Sequence, residues 1–530
     1  MNFSIVFSFV FFTLLVAVIS YFKTKKEVTQ TTSGLFFANR NNNFWVVGGA
    51  LFLSNISANQ FIGENESIFI NNMSVISWGV SSVLAMLLVS EFMLPIYFKT
   101  GAMTIPDFLG QRYDSSTKRL VSVLFLLSYL VNLLPSVLYG GAIAFNGLLD
   151  LFGFMPISYW AKIWITVWII GVIGALYTIL GGIRAISVSD SVLSFGLLII
   201  GLAFPYFGFK YLGDGDWNAG LQMVLSKNEG RLNSIGSSGD EIPFSTIFTG
   251  MFIMNLYYWG MEQYIIQQAL TAKSLSHSQK GMALACVGKL ASPFLINIPG
   301  ILSIFLYSDL INTAEVFPRV VNDTLPAVLT GLTAAIVLGA AITTFNAGLT
   351  SSSTLFILTF YKPIIKARGH NVTEQKLIQA SKRFQIIVSL LAMFTAPFIF
   401  FAKTGFYTYL QQLAGMFSVP IFTIVLVAFL SKKASPIAAK TGIIFFIITY
   451  IVANYILEID MHYLHILGIL FVLTFSFIYF YSKSKGLDTK KNILIPEKQH
   501  ELWNNRHIVS FILILLMVLV FLFFSPVGIA

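Results

Sequence analysis

Long apolar runs separated by short polar segments are the dominant pattern along this chain. Runs such as LFLLSYLVNLL and IVSFILILLMVLVFLFF are long enough, or nearly so, to cross about 30 Å of hydrocarbon. Run lengths and helix-breaking residues predict about fourteen membrane-spanning helices. Their approximate ranges are 4–22, 44–70, 75–98, 120–149, 159–180, 188–212, 246–266, 281–307, 327–361, 383–402, 405–431, 437–457, 463–481 and 507–524.

The second span is interrupted by a polar segment, LSNISANQFIGENE, which runs from Leu53 to Glu66. This density of amides and carboxylates around a glycine predicts an unwound segment that lines a cavity. Freed backbone carbonyls are suited to a small cation, and Gln60 can hold a polar ligand. The alternative is that the segment marks the outer end of the helix. For Glu64 and Glu66, an exposed helix cap and a gate both remain open.

The seventh span has a second unusual segment, NLYYWGMEQY, from Asn255 to Tyr264. Aromatic rings beside an amide can bind the apolar face of a sugar ring while polar neighbours take its hydroxyls. The alternative is an ordinary belt of aromatic residues at the membrane surface. The segment lies five spans after the first interruption.

Other polar residues stand within apolar surroundings and are candidates for function. The segment AAITTFN, from Ala340 to Asn346, can either pack closely against another helix or coordinate a cation, and packing is favoured on spacing alone. Lys289, Asp190 and Gln411 occur singly, and buried charges are costly unless they are paired. Asp190 would instead lie at the membrane surface if its span began one turn later.

The loops alternate in charge along the chain. Lys and Arg follow the odd-numbered spans, as at Lys23, Arg184 and Lys483, whereas the loops after even-numbered spans are poor in both. By the positive-inside rule, both termini face outward. The longer outer loops, 214–243 and 308–326, are expected to be lids or spacers.

Composition narrows the class of protein. Hydrophobic residues make up 56% of the 530 residues and charged residues only 11%, whereas soluble domains carry roughly a quarter charged residues. The net charge of +10 is spread over short loops, which disfavours nucleic acid as a partner. The one cysteine, Cys286, excludes an intrachain disulfide. The sequence has no P-loop, HExxH or GxSxG motif, which argues against an enzyme or an ATP-driven pump.

The strings NISANQFIG and NLYYWGMEQYIIQ, together with Thr343, Thr344 and Asp190, resemble the sodium:solute symporter family. The resemblance is to its sodium/glucose cotransporter type and is closest in motif to its bacterial galactose-transporting members. It implies an all-α membrane protein with a leucine-transporter-like core of two inverted five-helix repeats containing broken helices. The implied organisation is a single transporter, 1–530, with repeats at 44–212 and 246–431 and additional helices at 437–530.

The resemblance also implies a set of site residues. Sodium would be bound by the backbone carbonyls of Leu53, Ile56 and Ala340 and the hydroxyls of Thr343 and Thr344, with Asp190 nearby. The matching solute-binding positions are Gln60, Ser82, Asn255, Tyr258, Lys289 and Gln411, with Tyr258 stacked on the sugar as the inner gate. Glu64, Trp78 and Tyr407 fall at the outer gate.

Two positions depart from the galactose-transporting pattern. Gly79 stands where those members have a glutamate that contacts sugar hydroxyls, and Glu64 stands where they have an apolar gate residue. The hydroxyl pattern that the site recognises is therefore expected to differ.

The resulting expectation is sodium-coupled import of a neutral sugar or polyol, most simply a glucose- or galactose-like hexose, by alternating access. Sodium is the co-transported ion, and the setting is the lipid bilayer of a bacterial inner membrane. Sialic acid, inositol, an amino acid or a nucleoside remain alternative solutes within the family. An ion channel or a membrane sensor is the alternative from a different class.

Overall fold

The computed structural model describes residues 3–24, 40–101, 104–153, 155–226, 230–308, 310, 312–369, 371–401, 406–431, 433–488 and 501–530. Parts of two lysine-bearing loops, 25–39 and 489–500, therefore lie outside the described residues. Nearly all the regular structure is helical, as predicted. Within the described part, twelve helices are long and apolar enough to cross a membrane.

The α-helices in the described part of the first half of the chain follow in order. They are α1 (Phe3–Thr24), α2 (Phe44–Asn55), α3 (Ala58–Ile70), α4 (Ser77–Leu88), α5 (Leu94–Thr100), α6 (Ile105–Arg112), α7 (Ser115–Ser128), α8 (Leu134–Leu149), α9 (Tyr159–Leu212) and α10 (Trp217–Ser226).

The second half continues with α11 (Gly250–Gly260), α12 (Gln263–Ala269), α13 (Leu275–Leu295), α14 (Ile298–Leu306), α15 (Val316–Thr324), α16 (Ala327–Phe356), α17 (Lys362–Ala367), α18 (Glu374–Thr395), α19 (Phe406–Leu430), α20 (Pro436–Ile451), α21 (Tyr463–Lys485) and α22 (Arg506–Phe523). Two short strands, β1 (Lys433–Ala434) and β2 (Leu487–Asp488), pair antiparallel with Lys433 opposite Asp488.

Three helices are widened by a π-helical turn just before a proline. The turns Val89–Met93, Tyr129–Leu133 and Ile357–Tyr361 end two residues before Pro95, Pro135 and Pro363. Proline has no N–H to give to the preceding turn, and its ring crowds the carbonyl four residues earlier. A wider turn absorbs this change without ending the helix.

Both predicted interruptions are breaks between two helices. In the second span, α2 ends at Asn55 and α3 begins at Ala58. In the seventh, α11 ends at Gly260 and α12 begins at Gln263. Neither pair forms a helix long enough to be one of the twelve candidate spans, because each half is short.

The two spans predicted at 159–180 and 188–212 are separate candidate spans, Tyr159–Ile179 and Ile186–Leu212. Both belong to the helical range α9, because the residues that join them are also helical. The connecting sequence LGGIRA contains no proline, and glycine weakens a helix without blocking its hydrogen bonds.

Helices α2 and α16 lie at the centre of the helix packing, next to the break in the second span. Helix α16 packs against α1, α8 and α9, while α2 packs against α9 and α13. Small residues permit the close approach, since a Cβ on Gly141 of α8 would come within 2.9 Å of the Ala341 Cβ. The single cysteine, Cys286 of α13, is fully buried.

Arg112 ties α6 to the end of α19. Its side chain is completely buried, and its guanidinium donates to the carbonyls of Ala428 and Ser431. These carbonyls lie at the end of α19, where the last carbonyls of a helix have no N–H donor within the helix. The charged arginine therefore satisfies backbone groups that lipid cannot.

Replacing this arginine tests its structural role. We expect Arg112→Leu to lower the midpoint of heat-induced unfolding in detergent by several degrees, because charge-assisted hydrogen bonds are each worth about 1.5–3 kcal/mol. Arg119→Leu removes the same charge from an exposed position of α7 and serves as the control. Equal midpoints for the two variants would contradict the assignment.

Candidate functional site

A cavity of about 170 Å³ lies between the two helix breaks. Its wall is formed by α2 and α3 on one side, by α4 and α11 on another, and by α7, α13 and α19. Polar and aromatic side chains predominate. The lining includes Asn55, Ser57, Asn59, Gln60, Trp78, Ser82, Tyr129, Asn132, Asn255, Tyr258, Glu262, Lys289, Thr344, Tyr407, Gln411 and Ser418.

All six predicted solute-binding side chains line this one cavity, although they come from five helices. They are Gln60, Ser82, Asn255, Tyr258, Lys289 and Gln411. Two of the three predicted gate residues, Trp78 and Tyr407, line it as well. Their function stays a prediction, but the sequence did group residues that the fold brings together.

Hydrogen bonds orient several of these side chains. The Lys289 ammonium donates to Asn55 Oδ1 at 2.7 Å, and the Asn255 amide donates to Ser81 Oγ at 3.1 Å. Tyr258 and Tyr264 share a hydrogen bond of 2.8 Å between their hydroxyls. Tyr258 is thereby connected to α12 across the break in the seventh span.

Several buried polar atoms of the cavity have no protein partner. They are Asn59 Oδ1, Gln60 Oε1, Asn132 Oδ1, Trp78 Nε1, Thr344 Oγ1 and Ser418 Oγ. A buried polar group without a partner costs free energy, so such groups are usually satisfied by a bound molecule or by water. Three of the six are amide oxygens, which accept hydrogen bonds from hydroxyl groups.

Glu64 is the gate residue that the structure places away from the cavity wall. It is only 4% exposed, and its carboxylate accepts from Asn297 Nδ2 at 3.0 Å. Glu66 is also buried and accepts from Thr313 Oγ1 at 2.6 Å. The exposed-cap interpretation of these two carboxylates is therefore wrong, because each faces a neighbouring element.

Tyr407 lies directly against α3, the second half of the broken span. A Cβ on Gly63 would come within 2.9 Å of the Tyr407 Cβ and ring, so a larger residue at position 63 would collide with it. Only glycine allows α3 and α19 to approach this closely.

A carboxylate in the loop 214–243, which the sequence did not single out, joins the same two helices. Glu241 accepts hydrogen bonds from Ser67 and Asn71 at the end of α3 and from Thr408 of α19. Its backbone carbonyl also contacts His462 Nε2 at 2.9 Å. The loop 214–243 was expected to be a lid or spacer, and its described part contacts the C-terminal end of α3.

The residues expected to bind sodium lie where α16 meets the first helix break. Helix α16 contacts α2, and Thr344 lines the cavity beside Asn55 and Ser57. Because α2 ends at Asn55, carbonyls of its last turn, including that of Leu53, lie at a helix terminus. Ile56 follows directly as the capping residue.

Asp190 connects α9 to this break. It is fully buried, and its Oδ2 accepts from Ser54 Oγ at 3.0 Å while its Oδ1 has no partner. On α16, the Thr343 hydroxyl donates to the Ala340 carbonyl at 3.3 Å. Carbonyls, hydroxyls and a carboxylate are hard oxygen ligands, so this set fits a small cation. Asp190 lies in the protein interior rather than on its surface.

The cavity also contains residues that the sequence did not single out as site residues. Glu262 lies in the second break, 8% exposed, and accepts from the Tyr129 hydroxyl at 2.5 Å and the Gln263 N–H at 3.1 Å. Asn132 lies in the π-helical turn of the fourth span. Gln411 was singled out because it is an amide within an apolar run, and the same signal applies to Asn132.

Comparison with known proteins identifies the family. A sequence model of the sodium:solute symporter family matches residues 35–445. The chain belongs to the sodium:solute symporter family. The symporter is therefore a multi-pass membrane protein that couples transport of a small solute to sodium, and sodium is its co-transported ion.

Relatives of known name support the same assignment. The chain is 37% identical to the uncharacterized symporter YidK of Escherichia coli K12, over 89% of this chain and 82% of the relative. It is 27% identical to the sodium/glucose cotransporter of Vibrio parahaemolyticus, over 80% of this chain and 79% of the relative.

A solved structure shares the fold of the symporter. It is a substrate-bound, outward-open state of a sodium-coupled sialic acid symporter, with a TM-score of 0.76 and 17% sequence identity. The match covers 91% of this chain and 98% of the other.

The unpartnered hydroxyl of Thr344 provides a test of the sodium site. We expect Thr344→Ala to raise the sodium concentration for half-maximal transport roughly tenfold, a change of about 1.4 kcal/mol, because the variant lacks one oxygen ligand for the ion. The measurement is sodium-dependent uptake into proteoliposomes. Thr333→Ala is the control, since Thr333 lies on the same helix and its hydroxyl donates to the Leu329 carbonyl. An unchanged sodium half-saturation would remove Thr344 from the site.

Proposed function

We propose that the solute is a sugar or polyol and that the symporter imports it with sodium by alternating access. The observation that carries this proposal is the group of unpartnered amide oxygens in the cavity, at Asn59, Gln60 and Asn132. Acceptors of this kind match a ligand that presents several hydroxyl donors. Aromatic rings beside them, including Tyr258 and Tyr407, offer apolar faces for a sugar ring.

The named relatives are consistent with this class of solute. The Vibrio protein is a sodium/glucose cotransporter, and similar mammalian proteins are named as sodium/myo-inositol cotransporters. Those solutes are a hexose and a ring polyol. The hydroxyls of a hexose or ring polyol would satisfy the acceptors of this cavity in the same way.

We further propose that sodium binds at the carbonyls of Leu53, Ile56 and Ala340 and the hydroxyls of Thr343 and Thr344. Support comes from the termination of α2 at Asn55, opposite α16, and from the unpartnered Thr344 hydroxyl. Asp190 would position this site through Ser54 rather than form its centre.

The inverted-repeat organisation is also part of the proposal. The two breaks occur in corresponding spans of 44–212 and 246–431, which supports two repeats that are related by inversion. Counting each broken pair as one crossing gives fourteen crossings, with 437–530 as additional helices of a single transporter, 1–530. Lysine-bearing loops would then face the cytoplasm and both termini the outside of a bacterial inner membrane.

The mechanism follows from the shared position of the two sites. Sodium bound at the end of α2 would fix residues Leu53 to Ile56, and the neighbouring residues Asn55, Ser57 and Gln60 would then hold the solute. Binding at one site therefore lowers the cost of binding at the other, which is a coupling free energy. Tyr407 on the outside and Tyr258 on the inside would alternately close the cavity.

Uptake of a solute panel tests this function. We expect proteoliposomes with an inward sodium gradient to accumulate at least one radiolabelled sugar or polyol, whereas an equal potassium gradient should support no accumulation. The panel contains neutral hexoses, polyols, acidic sugars including sialic acid, and an amino acid and a nucleoside as solutes of other classes. Accumulation of the amino acid or the nucleoside alone, or of no member, would contradict the sugar or polyol assignment.

Gln60 provides the test of the cavity itself. We expect Gln60→Ala to weaken binding of the transported solute about tenfold, because it removes an unpartnered acceptor that is buried in the cavity. The measurement is equilibrium binding to purified protein in sodium. Gln222→Ala, at an exposed position of α10, is the control. Unaltered affinity in Gln60→Ala would count against this cavity as the solute site.

A further inference from the structure

Lys289 is a buried cation with an incomplete set of partners. Its side chain is 2% exposed and lines the cavity, and its ammonium donates one hydrogen bond, to the neutral amide oxygen of Asn55 at 2.7 Å. In the described part of the chain, no carboxylate lies within 4.0 Å of this ammonium. An ammonium can donate three hydrogen bonds, so a single acceptor leaves most of its donor capacity unused.

The nearest acidic side chains are occupied by other groups. Glu64 interacts electrostatically with Lys289, but its carboxylate is bonded to Asn297 and does not line the cavity. Glu262 lines the cavity, and it is held by Tyr129 and the Gln263 N–H. Neither forms an ion pair with Lys289.

Gly79 leaves the space beside the ammonium without a side chain. A Cβ at this position would lie 3.3 Å from both Cε and Nζ of Lys289. Any acidic side chain at position 79 would therefore start in contact with the ammonium and could neutralise it. With glycine there, no carboxylate of α4 contacts the ammonium, and Glu64 acts on it without forming an ion pair.

A second buried donor, next to Gly79 on α4, has no acceptor. Trp78, the residue before Gly79, lines the cavity, and its indole Nε1 is buried without an acceptor. The unpartnered amide oxygens of Asn59 and Gln60, in contrast, belong to α3. The cavity therefore combines donors on α4 and α13 with acceptors on α3.

We infer that the solute is an acidic sugar, whose anionic oxygen group pairs with Lys289 in the space that Gly79 leaves open. The anionic group is a carboxylate, as in a uronic acid, or a sulfate ester, and both supply the acceptors that Lys289 and Trp78 lack. The ring hydroxyls donate to Gln60 and Asn59. This inference rests on the proposed sugar transport and replaces the expectation of a neutral hexose.

Matched sets of sugars test the inference. Proteoliposomes with an inward sodium gradient are supplied with galactose, galacturonate or galactose 6-sulfate, and with the corresponding glucose compounds. We expect one acidic member to be accumulated at least tenfold faster than its neutral counterpart. The comparison of carboxylate with sulfate identifies which anionic group is used.

Two substitutions at position 79 separate charge from size. We expect Gly79→Glu to lower the ratio of acidic to neutral uptake at least tenfold, because the new carboxylate neutralises Lys289. Gly79→Gln adds a side chain of the same size without the charge, and it should retain the preference for the acidic member. Lys289→Gln should also bring the ratio towards one.

Each outcome is decisive. Faster uptake of the neutral members by the unmodified symporter, or equal ratios in the Glu and Gln variants, would overturn the inference and leave sugar transport intact. Uptake of no sugar, neutral or acidic, would overturn both the inference and the proposed function.

Discussion

A helix that stops inside a membrane leaves backbone carbonyl and N–H groups that hydrocarbon cannot satisfy. The symporter contains two such stops, at Ile56–Ser57 and at Met261–Glu262. The rest of the core compensates for them: Asp190 accepts from Ser54 beside the first, and Glu262 accepts the Gln263 N–H at the second. The cavity lies between these points because only a polar, enclosed space can tolerate them.

Much of this arrangement was predictable from residue types alone. The densest polar segments inside apolar spans, around Gln60 and Asn255, do line one cavity. Exposing such residues to lipid would cost free energy, whereas a polar cavity can accommodate them. Prediction failed where the outcome depended on a neighbour distant in sequence. Glu64 could not be placed without Asn297, nor Glu241 without Thr408.

The charge of the solute decides how much driving force one sodium ion can supply. One charge crossing 100 mV supplies about 2.3 kcal/mol, and a tenfold sodium gradient supplies about 1.4 kcal/mol. A neutral solute moved with one sodium ion uses both. An acidic sugar moved with one sodium ion carries no net charge, so that only the concentration term drives it. Greater accumulation of an acid would then require additional sodium ions in each cycle.

The burial of Cys286 within α13 has a practical consequence for studying these movements. Since it is the only thiol in the chain, reagents that cannot enter the protein interior have no native target. A cysteine introduced near Tyr407 or Tyr258 would therefore report by itself on which side of the membrane the cavity is open. The natural sequence already provides the unreactive background that such labelling experiments normally have to engineer.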